Sequence, residues 1–406
     1  MAVVWLQLLS VVILLQSCRF ERRIRGGHEA TSVKSYVVYF AITKNSAHTY
    51  LGWTCGGSIV SRWFIVTSAA CVQDVEHLYA IAGYDTYVPW NKIEEDDCIV
   101  NTRKRIMYIC IPRNYELEYG KLEKWSLIDI ALVKVEVPYN FEDDAYIRFC
   151  SYKPTTIPIN YSQDYQFNTD VIIMGWGHTE RYREKGDLTD YNQKKLHVGS
   201  TRILAHERCT PYFDKKMHKV IQKYMICTND SGSIDETGHV MDGINVELVD
   251  GCYWKKTLLN GEEHLECQGV SGLDDENNRR LMINKTSSRT GRVGICQNDH
   301  GGPLVTWKGT RELLIGVASV FRVTPTLKCV GPSLFTSTHC NGLFLHCVIS
   351  ENDDNNVKRK RECDYPPKKR GYDLVERRIS WTNHPDGPAN SEKIKIRPQV
   401  PLSSFQ

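Results

Sequence analysis

The stretch that decides the fold is residues 294–305, which read Gly294-Ile295-Cys296-Gln297-Asn298-Asp299-His300-Gly301-Gly302-Pro303-Leu304-Val305. Four further blocks precede it, each rich in glycine, cysteine or small apolar residues. In chain order they are Arg23-Ile24-Arg25-Gly26-Gly27, Cys55-Gly56-Gly57-Ser58-Ile59-Val60 with its continuation Trp63 to Cys71, Asp129-Ile130-Ala131-Leu132-Val133-Lys134, and Gly175-Trp176-Gly177. Any one block is weak evidence, but five in this order and spacing indicate one fold over most of the chain.

Together the blocks resemble those of trypsin- and chymotrypsin-like serine proteases, from about residue 24 to residue 349. The resemblance implies an all-β fold of two packed antiparallel β-barrels, with the active cleft between them and a helix at the C-terminal end. Arg25 departs from the family pattern, in which valine is usual.

The resemblance assigns the three catalytic positions to Ala70, Asp129 and His300. A serine triad needs a base to remove the hydroxyl proton and a carboxylate to orient that base. Here the base position holds alanine and the nucleophile position holds histidine. Since loss of either group in a known protease lowers turnover by roughly 10⁶, the sequence predicts no conventional peptidase activity.

The oxyanion-hole and pocket positions also differ from the family pattern. Asn298 replaces a glycine, and we expect its Cβ to oppose the backbone conformation that the oxyanion hole requires. Gly294 replaces the aspartate that receives Lys or Arg, while Phe321 and Ser333 replace pocket glycines. The sequence predicts a closed specificity pocket. A misalignment caused by the long segment 322–328 is the alternative explanation.

The maturation switch of the family is present in outline, because Arg23, Ile24 and Asp299 occupy its positions. In the family, cleavage after the basic residue frees an ammonium group that pairs with the aspartate and orders the surrounding loops. We predict a switch of this kind that changes a binding surface. Inheritance of the residues without use remains the alternative.

His300 also suggests a pH-sensitive latch. With alanine at position 70, its ring has room to turn and bond Asp129, which would raise the pKa of the imidazole. The alternative is a histidine at the cleft floor without a role. No metal site and no cofactor is predicted, since two ligands are too few for catalytic zinc.

The chain of 406 residues divides into four predicted parts. Residues 1–18, with an apolar run from Val3 to Leu15, read as a signal peptide, and residues 19–23 as a short propeptide. Residues 24–349 form the protease-like domain, and residues 350–406 a tail. No later segment is apolar for long enough to cross a membrane, so a secreted, extracellular protein is predicted.

Fifteen cysteines fit an oxidising compartment, and 14 remain without Cys18. The resemblance implies three disulfides, Cys55–Cys71, Cys209–Cys227 and Cys296–Cys329. Cys98–Cys110 and Cys252–Cys267 are predicted as local loops. The pairing of Cys150, Cys340, Cys347 and Cys363 stays open.

Residues 231–290 are an insert relative to the family and read as a small, disulfide-bearing hairpin unit on the cleft rim. It is the predicted partner-binding surface, with a tolerated insertion as the alternative. Three sequons make Asn160, Asn229 and Asn284 possible glycosylation sites.

The tail, residues 350–406, reads as basic and disordered. From residue 351 it carries 12 Lys and Arg against nine Asp and Glu, with runs at 358–361 and 368–370. These runs fit acidic polysaccharide or proprotein-convertase cleavage. Nucleic acid is not an expected partner of a secreted chain.

The sequence therefore predicts a secreted, non-catalytic serine protease homologue that acts as adaptor, cofactor or decoy. Its expected partners are extracellular proteases, their substrates or their inhibitors. Two alternatives remain, an active endopeptidase with unconventional catalytic groups and a precursor of a tail-derived peptide.

Overall fold

The computed structural model describes residues 24–43, 52–118, 120–179, 181–241, 293–351, 363, 374–382 and 384–385, and the backbone of residues 252–259 and 262–269. The predicted signal peptide, the propeptide with Arg23, the basic runs of the tail and the sequon at Asn284 lie outside these ranges. Within them, none of the helices combines the length and apolar character that crossing a bilayer requires.

Sixteen strands are described. In chain order they are β1 (His28–Glu29), β2 (Val37–Ile42), β3 (Cys55–Ile59), β4 (Phe64–Thr67), β5 (Leu78–Ile81), β6 (Lys104–Pro112), β7 (Ala131–Val135), β8 (Asp170–Gly175), β9 (His197–Ile203), β10 (Met225–Ser231), β11 (Cys252–Leu259), β12 (Glu262–Gly269), β13 (Pro303–Lys308), β14 (Arg311–Val323), β15 (Cys329–Ser337) and β16 (Leu374–Arg378). The helices are α1 (Ala69–Val72), α2 (Asp97–Thr102), α3 (Leu122–Trp125), α4 (Ala145–Phe149), α5 (His206–Cys209), α6 (Lys215–Tyr224) and α7 (Gly342–Glu351).

Two antiparallel sheets close into barrels of six strands each. The first has the order β6-β5-β2-β3-β4-β7, closed by β6 pairing with β7, and the second the order β9-β10-β15-β14-β13-β8, closed by β9 pairing with β8. Strands β2 and β4 are rich in β-branched and aromatic residues, which suit buried sheets. All six side chains of β2 are buried. The predicted all-β, two-barrel fold is confirmed, as is the C-terminal helix, α7.

The barrels approach closely at β3. The amide of Gly56 donates to the carbonyl of His300 at 2.7 Å. A Cβ at Gly56 would lie 2.9 Å from the backbone of Gly302, so only glycine allows this approach. The contact holds the 294–305 segment of the second barrel against the first.

The structure contains the three disulfides that the resemblance implies, Cys55–Cys71, Cys209–Cys227 and Cys296–Cys329. The predicted Cys98–Cys110 pair is wrong, because Cys98 is joined to Cys150. Cys98 lies in α2, which packs against α4, whereas Cys110 lies six residues along β6, about 20 Å from the start of that strand. The side chains of Cys252 and Cys267 are outside the described part.

The prediction of a disordered tail is wrong for residues 374–382. Strand β16 pairs with β6 along five residues and extends the first sheet. Trp381 is buried, and its indole N–H donates to the carbonyl of Ile106 at 2.9 Å. A further disulfide, Cys347–Cys363, joins α7 to the tail. The sequence did not predict this strand because the strand is short and polar. Its stability comes from pairing with β6 of the first barrel.

The insert contains one described hairpin, β11 with β12. Within the predicted hairpin unit, most of residues 239–249 lie outside the described ranges. The start of the insert is held against the N-terminal segment of the domain. There the buried carboxylate of Glu236 accepts hydrogen bonds from the amides of Thr31 and Ser32 and from the Thr31 hydroxyl.

Candidate active cleft

Asp129 lies at the barrel interface, after a single helical turn at Ser126–Ile128 and before β7. Its side chain is fully buried. One carboxylate oxygen accepts from the Ser68 hydroxyl at 2.7 Å and from the amide of Ala70 at 2.9 Å, and the other accepts from the Ser319 hydroxyl at 2.6 Å. Burial raises the pKa of Asp129, while these bonds and the nearby His300 oppose that rise.

The other two positions that the resemblance assigns to the triad hold Ala70 and His300. Ala70 lies in α1 beside Asp129 and contributes its backbone amide. His300 is half-buried, and its ring lies 5.3 Å from the ring of Phe321, centroid to centroid. Neither position holds the residue type that a serine triad uses there.

The predicted latch between His300 and Asp129 is wrong in its chemistry. The hydrogen bonds described for Asp129 come from Ser68, Ala70 and Ser319, and none of them comes from the ring of His300. Desolvation lowers the pKa of His300 below its usual value, although the charge of Asp129 acts in the opposite direction. The ring is therefore neutral near pH 7, and not an imidazolium held by the carboxylate.

Asn298 adopts the left-handed conformation, with φ of 72°, which corrects the expectation that its Cβ would oppose it. Asparagine tolerates this region better than most residues. Its side-chain amide donates to the carbonyl of Gly52 and to the side chain of Asn192, both at 2.8 Å. The same nitrogen lies 3.3 Å from Nε2 of His178, a buried histidine whose pKa is lowered by burial to about 4.

The position of the specificity aspartate, Gly294, faces a guanidinium group. Arg25 and Gly294 form an isolated antiparallel bridge, and a Cβ at Gly294 would lie 2.6 Å from Nη2 of Arg25 and 2.8 Å from Oγ of Ser333. A Cβ at Gly331 would lie 2.8 Å from the same Nη2. The Arg25 side chain thus lies between the two backbone segments that carry the predicted pocket positions. The sequence showed Arg25 as a departure from valine, but not where its side chain goes.

Phe321 lies near the end of β14, half-buried between two rings. The His300 ring is 5.3 Å away and the Tyr182 ring 6.2 Å away, centroid to centroid. Ser333 is fully buried, and its hydroxyl accepts from the amide of Ile295 at 3.2 Å. Two of the pocket positions, Gly294 and Ser333, therefore lie beside each other in the structure.

Two members of the predicted activation switch are described. Ile24 is buried in the core of the second barrel with Val171, Ile173 and Ile295, and has φ of 35°. Asp299 is 1% exposed, and its carboxylate accepts from the amides of Gly177 and Cys296, both at 3.0 Å. Burial raises the pKa of Asp299 to about 7. No cation pairs with this carboxylate among the described residues.

Two of the three sequon asparagines have little surface. Asn160 is 8% exposed and donates to Asp164, and Asn229 is 5% exposed and donates to Asp230. Because a glycan must project into solvent, these positions are poor acceptors in the folded chain.

The sequence reasoning missed two residues that organise the cleft. Ser68 lies within the stretch from Trp63 to Cys71, but its hydrogen bond to Asp129 depends on the three-dimensional positions of β4 and α1. His178 follows the Gly-Trp-Gly block, and nothing in the sequence indicated its contact with Asn298.

Comparison with known proteins agrees with this geometry. The family model described as Trypsin matches residues 24–237. Venom serine protease 34 of Apis mellifera is 27% identical over 188 residues, which are 45% of this chain and 41% of that protein. Coagulation factor XI of Bos taurus is 25% identical over 173 residues, 43% of this chain and 23% of that protein.

Among solved structures, the scabies mite inactivated protease paralogue S-D1 matches 82% of this chain and 99% of its own, with 17% identity and a TM-score of 0.45. The chain thus spans less than half the length of the two curated relatives above. With a family model that covers more than half of its residues, the chain belongs to the trypsin family of serine proteases.

Proposed function

We propose that this chain is a secreted member of the trypsin family that does not hydrolyse peptides and acts through binding, as an adaptor, cofactor or decoy. The observation that carries the proposal is the set of donors around Asp129. They are the hydroxyls of Ser68 and Ser319 and the backbone amide of Ala70, and the side chain at position 70 carries no base for the carboxylate to orient.

Substrate binding is obstructed independently of the triad. The guanidinium of Arg25 occupies the space beside Gly294 in which the family's pocket aspartate would extend. Phe321 stands where the family has a pocket glycine, and its ring lies 5.3 Å from that of His300, centroid to centroid, which supports a narrowed pocket mouth. Loss of the reacting groups and loss of the pocket support the same conclusion, because neither change causes the other.

Extracellular location is supported by five disulfides within the described residues, since such bonds persist in oxidising compartments. The expected partners are extracellular proteases, their substrates or their inhibitors. The alternative of a tail-derived peptide is weakened for residues 374–382, which form a strand of the first sheet and bury Trp381.

The test is hydrolysis of pooled fluorogenic peptides by the purified chain, both uncut and cleaved after Arg23, alongside the His300→Ala variant. We expect no turnover from any of the three. Turnover that disappears in His300→Ala would instead establish an enzyme with unconventional catalytic groups. Turnover that persists in His300→Ala indicates a contaminating protease, and repeating the assay after an inhibitor column decides the matter.

A further inference from the structure

Exposed apolar side chains occur in the two loops beside Phe321. Of the 13 large hydrophobic residues that are exposed among the described residues, Tyr182 and Leu188 belong to residues 181–188 and Val323 to residues 322–328, with exposures between 38% and 64%. We name these two loops, together with Phe321, the cleft ridge.

Contacts join the two loops beside Phe321. The rings of Tyr182 and Phe321 are 6.2 Å apart, centroid to centroid. The amide of Tyr182 donates to the carbonyl of Leu327 at 2.7 Å, which fixes one loop against the other.

Arg322, in the second loop, is held by an aromatic ring. Its guanidinium lies 5.4 Å from the ring of Tyr212. Tyrosine and arginine on a rigid framework are the residues most enriched at the energetic centres of protein interfaces.

The surrounding charge is positive. Residues 181–188 carry Arg181, Arg183 and Lys185 against Glu184 and Asp187, and residues 322–328 carry Arg322 and Lys328 with no acid. The two loops therefore have a net charge of +3. Complementary charge steers a partner and excludes partners of like charge.

We propose that the cleft ridge is a docking surface for an acidic segment of an extracellular protein partner. The inference rests on the proposed function, since it assumes a cleft that binds without cutting. The partner lies across the ridge and inserts no side chain into the specificity pocket, because Arg25 fills the base of that pocket.

The experiment selects ligands without assuming a partner. A phage library of random 12-residue peptides is panned on the full chain, and enriched peptides are synthesised with a fluorophore and titrated by anisotropy. We expect enrichment of Asp and Glu, and binding that weakens as NaCl rises from 150 to 500 mM. Tyr182→Ser and Lys328→Glu should each weaken binding about tenfold, which corresponds to about 1.4 kcal/mol.

A matched control is Phe167→Ser, which removes an aromatic ring of similar exposure outside the ridge. It should leave peptide affinity unchanged. The proposal is overturned if no peptide is enriched, if enriched peptides are neutral or basic, or if Phe167→Ser weakens binding as much as Tyr182→Ser. Cleavage of the peptides by the wild-type chain would refute the proposed function instead, so the two failures are distinguishable.

Discussion

Replacing Asp299 by asparagine tests whether this buried carboxyl is held without a cation before maturation. The pKa of Asp299 is raised by burial from an ordinary 3.8 to about 7. The difference is roughly 3 units, and each unit corresponds to about 1.36 kcal/mol, so the carboxylate opposes folding by about 4 kcal/mol once it is fully ionised. Two backbone amides, of Gly177 and Cys296, are the donors that limit this cost.

The sign follows from proton binding. Below pH 3.8 the carboxyl is protonated in both states, whereas between pH 3.8 and 7 the folded chain keeps a proton that the unfolded chain has released. The contribution of Asp299 to the free energy of unfolding is therefore full at low pH, falls as pH rises, and is lost above pH 7. Asp299→Asn has no such dependence.

Urea unfolding of the uncut chain, followed by tryptophan fluorescence at pH 4.5, 6, 7.5 and 9, measures the difference. Asp299→Asn should be more stable than wild type by about 1 kcal/mol at pH 4.5, where the unfolded carboxyl is already mostly ionised, and by about 4 kcal/mol at pH 9. A difference that is constant across this range would refute the reasoning. If cleavage after Arg23 supplies an ammonium at Ile24, the variant should become the less stable protein at pH 9.

Three further substitutions test individual contacts. The aspartate of Gly294→Asp should pair with Arg25. A double-mutant cycle with Arg25→Val, measured by urea unfolding, should therefore show a coupling free energy of at least about 1 kcal/mol. Additive effects would mean that the guanidinium does not lie beside residue 294. Glu236→Ala removes three hydrogen bonds to residues 31–32 and should lower the free energy of unfolding by about 3 kcal/mol, seen as a lower Tm and faster amide exchange at residues 28–36. Unchanged amide exchange would argue that Glu236 does not hold residues 31–32 in place. Trp381→Ala should cost about 3–5 kcal/mol and expose β6 to amide exchange, whereas a disordered tail would leave the Tm unchanged.

The short glycine- and cysteine-rich blocks predicted the fold because each marks a place where backbones or sulfur atoms must meet. Gly56 shows the reason, since its missing Cβ is what lets the two barrels touch. The same blocks led to the assignments of Asp129, Asp299 and His300, which stay predictions. Three of the pairings followed from the resemblance, whereas the partner of Cys98 depends on how α2 packs against α4, which no local pattern encodes.

What the sequence could not provide is the direction of individual side chains. Arg25 was visible as a substitution, but its position beside Gly294 results from the backbone bridge between residues 25 and 294. The behaviour of His300 was predicted with the wrong sign, because pairing with Asp129 was expected to dominate over desolvation. For Asn298, the expectation that a Cβ disfavours positive φ was wrong. The residue adopts positive φ, and its side-chain amide is bonded to Gly52 and Asn192.

Three features of the cleft bear separately on the proposed function. Alanine and histidine stand at positions 70 and 300, the guanidinium of Arg25 lies beside Gly294, and the side chain of Asn298 is bonded to Gly52. The first two support a loss of turnover independently of each other, whereas Asn298 keeps the left-handed backbone conformation, with φ of 72°. The framework beneath them is present, with the disulfide at Cys296, the buried Asp299 and the closed barrels. Under the proposed function, this framework serves to hold a partner in place.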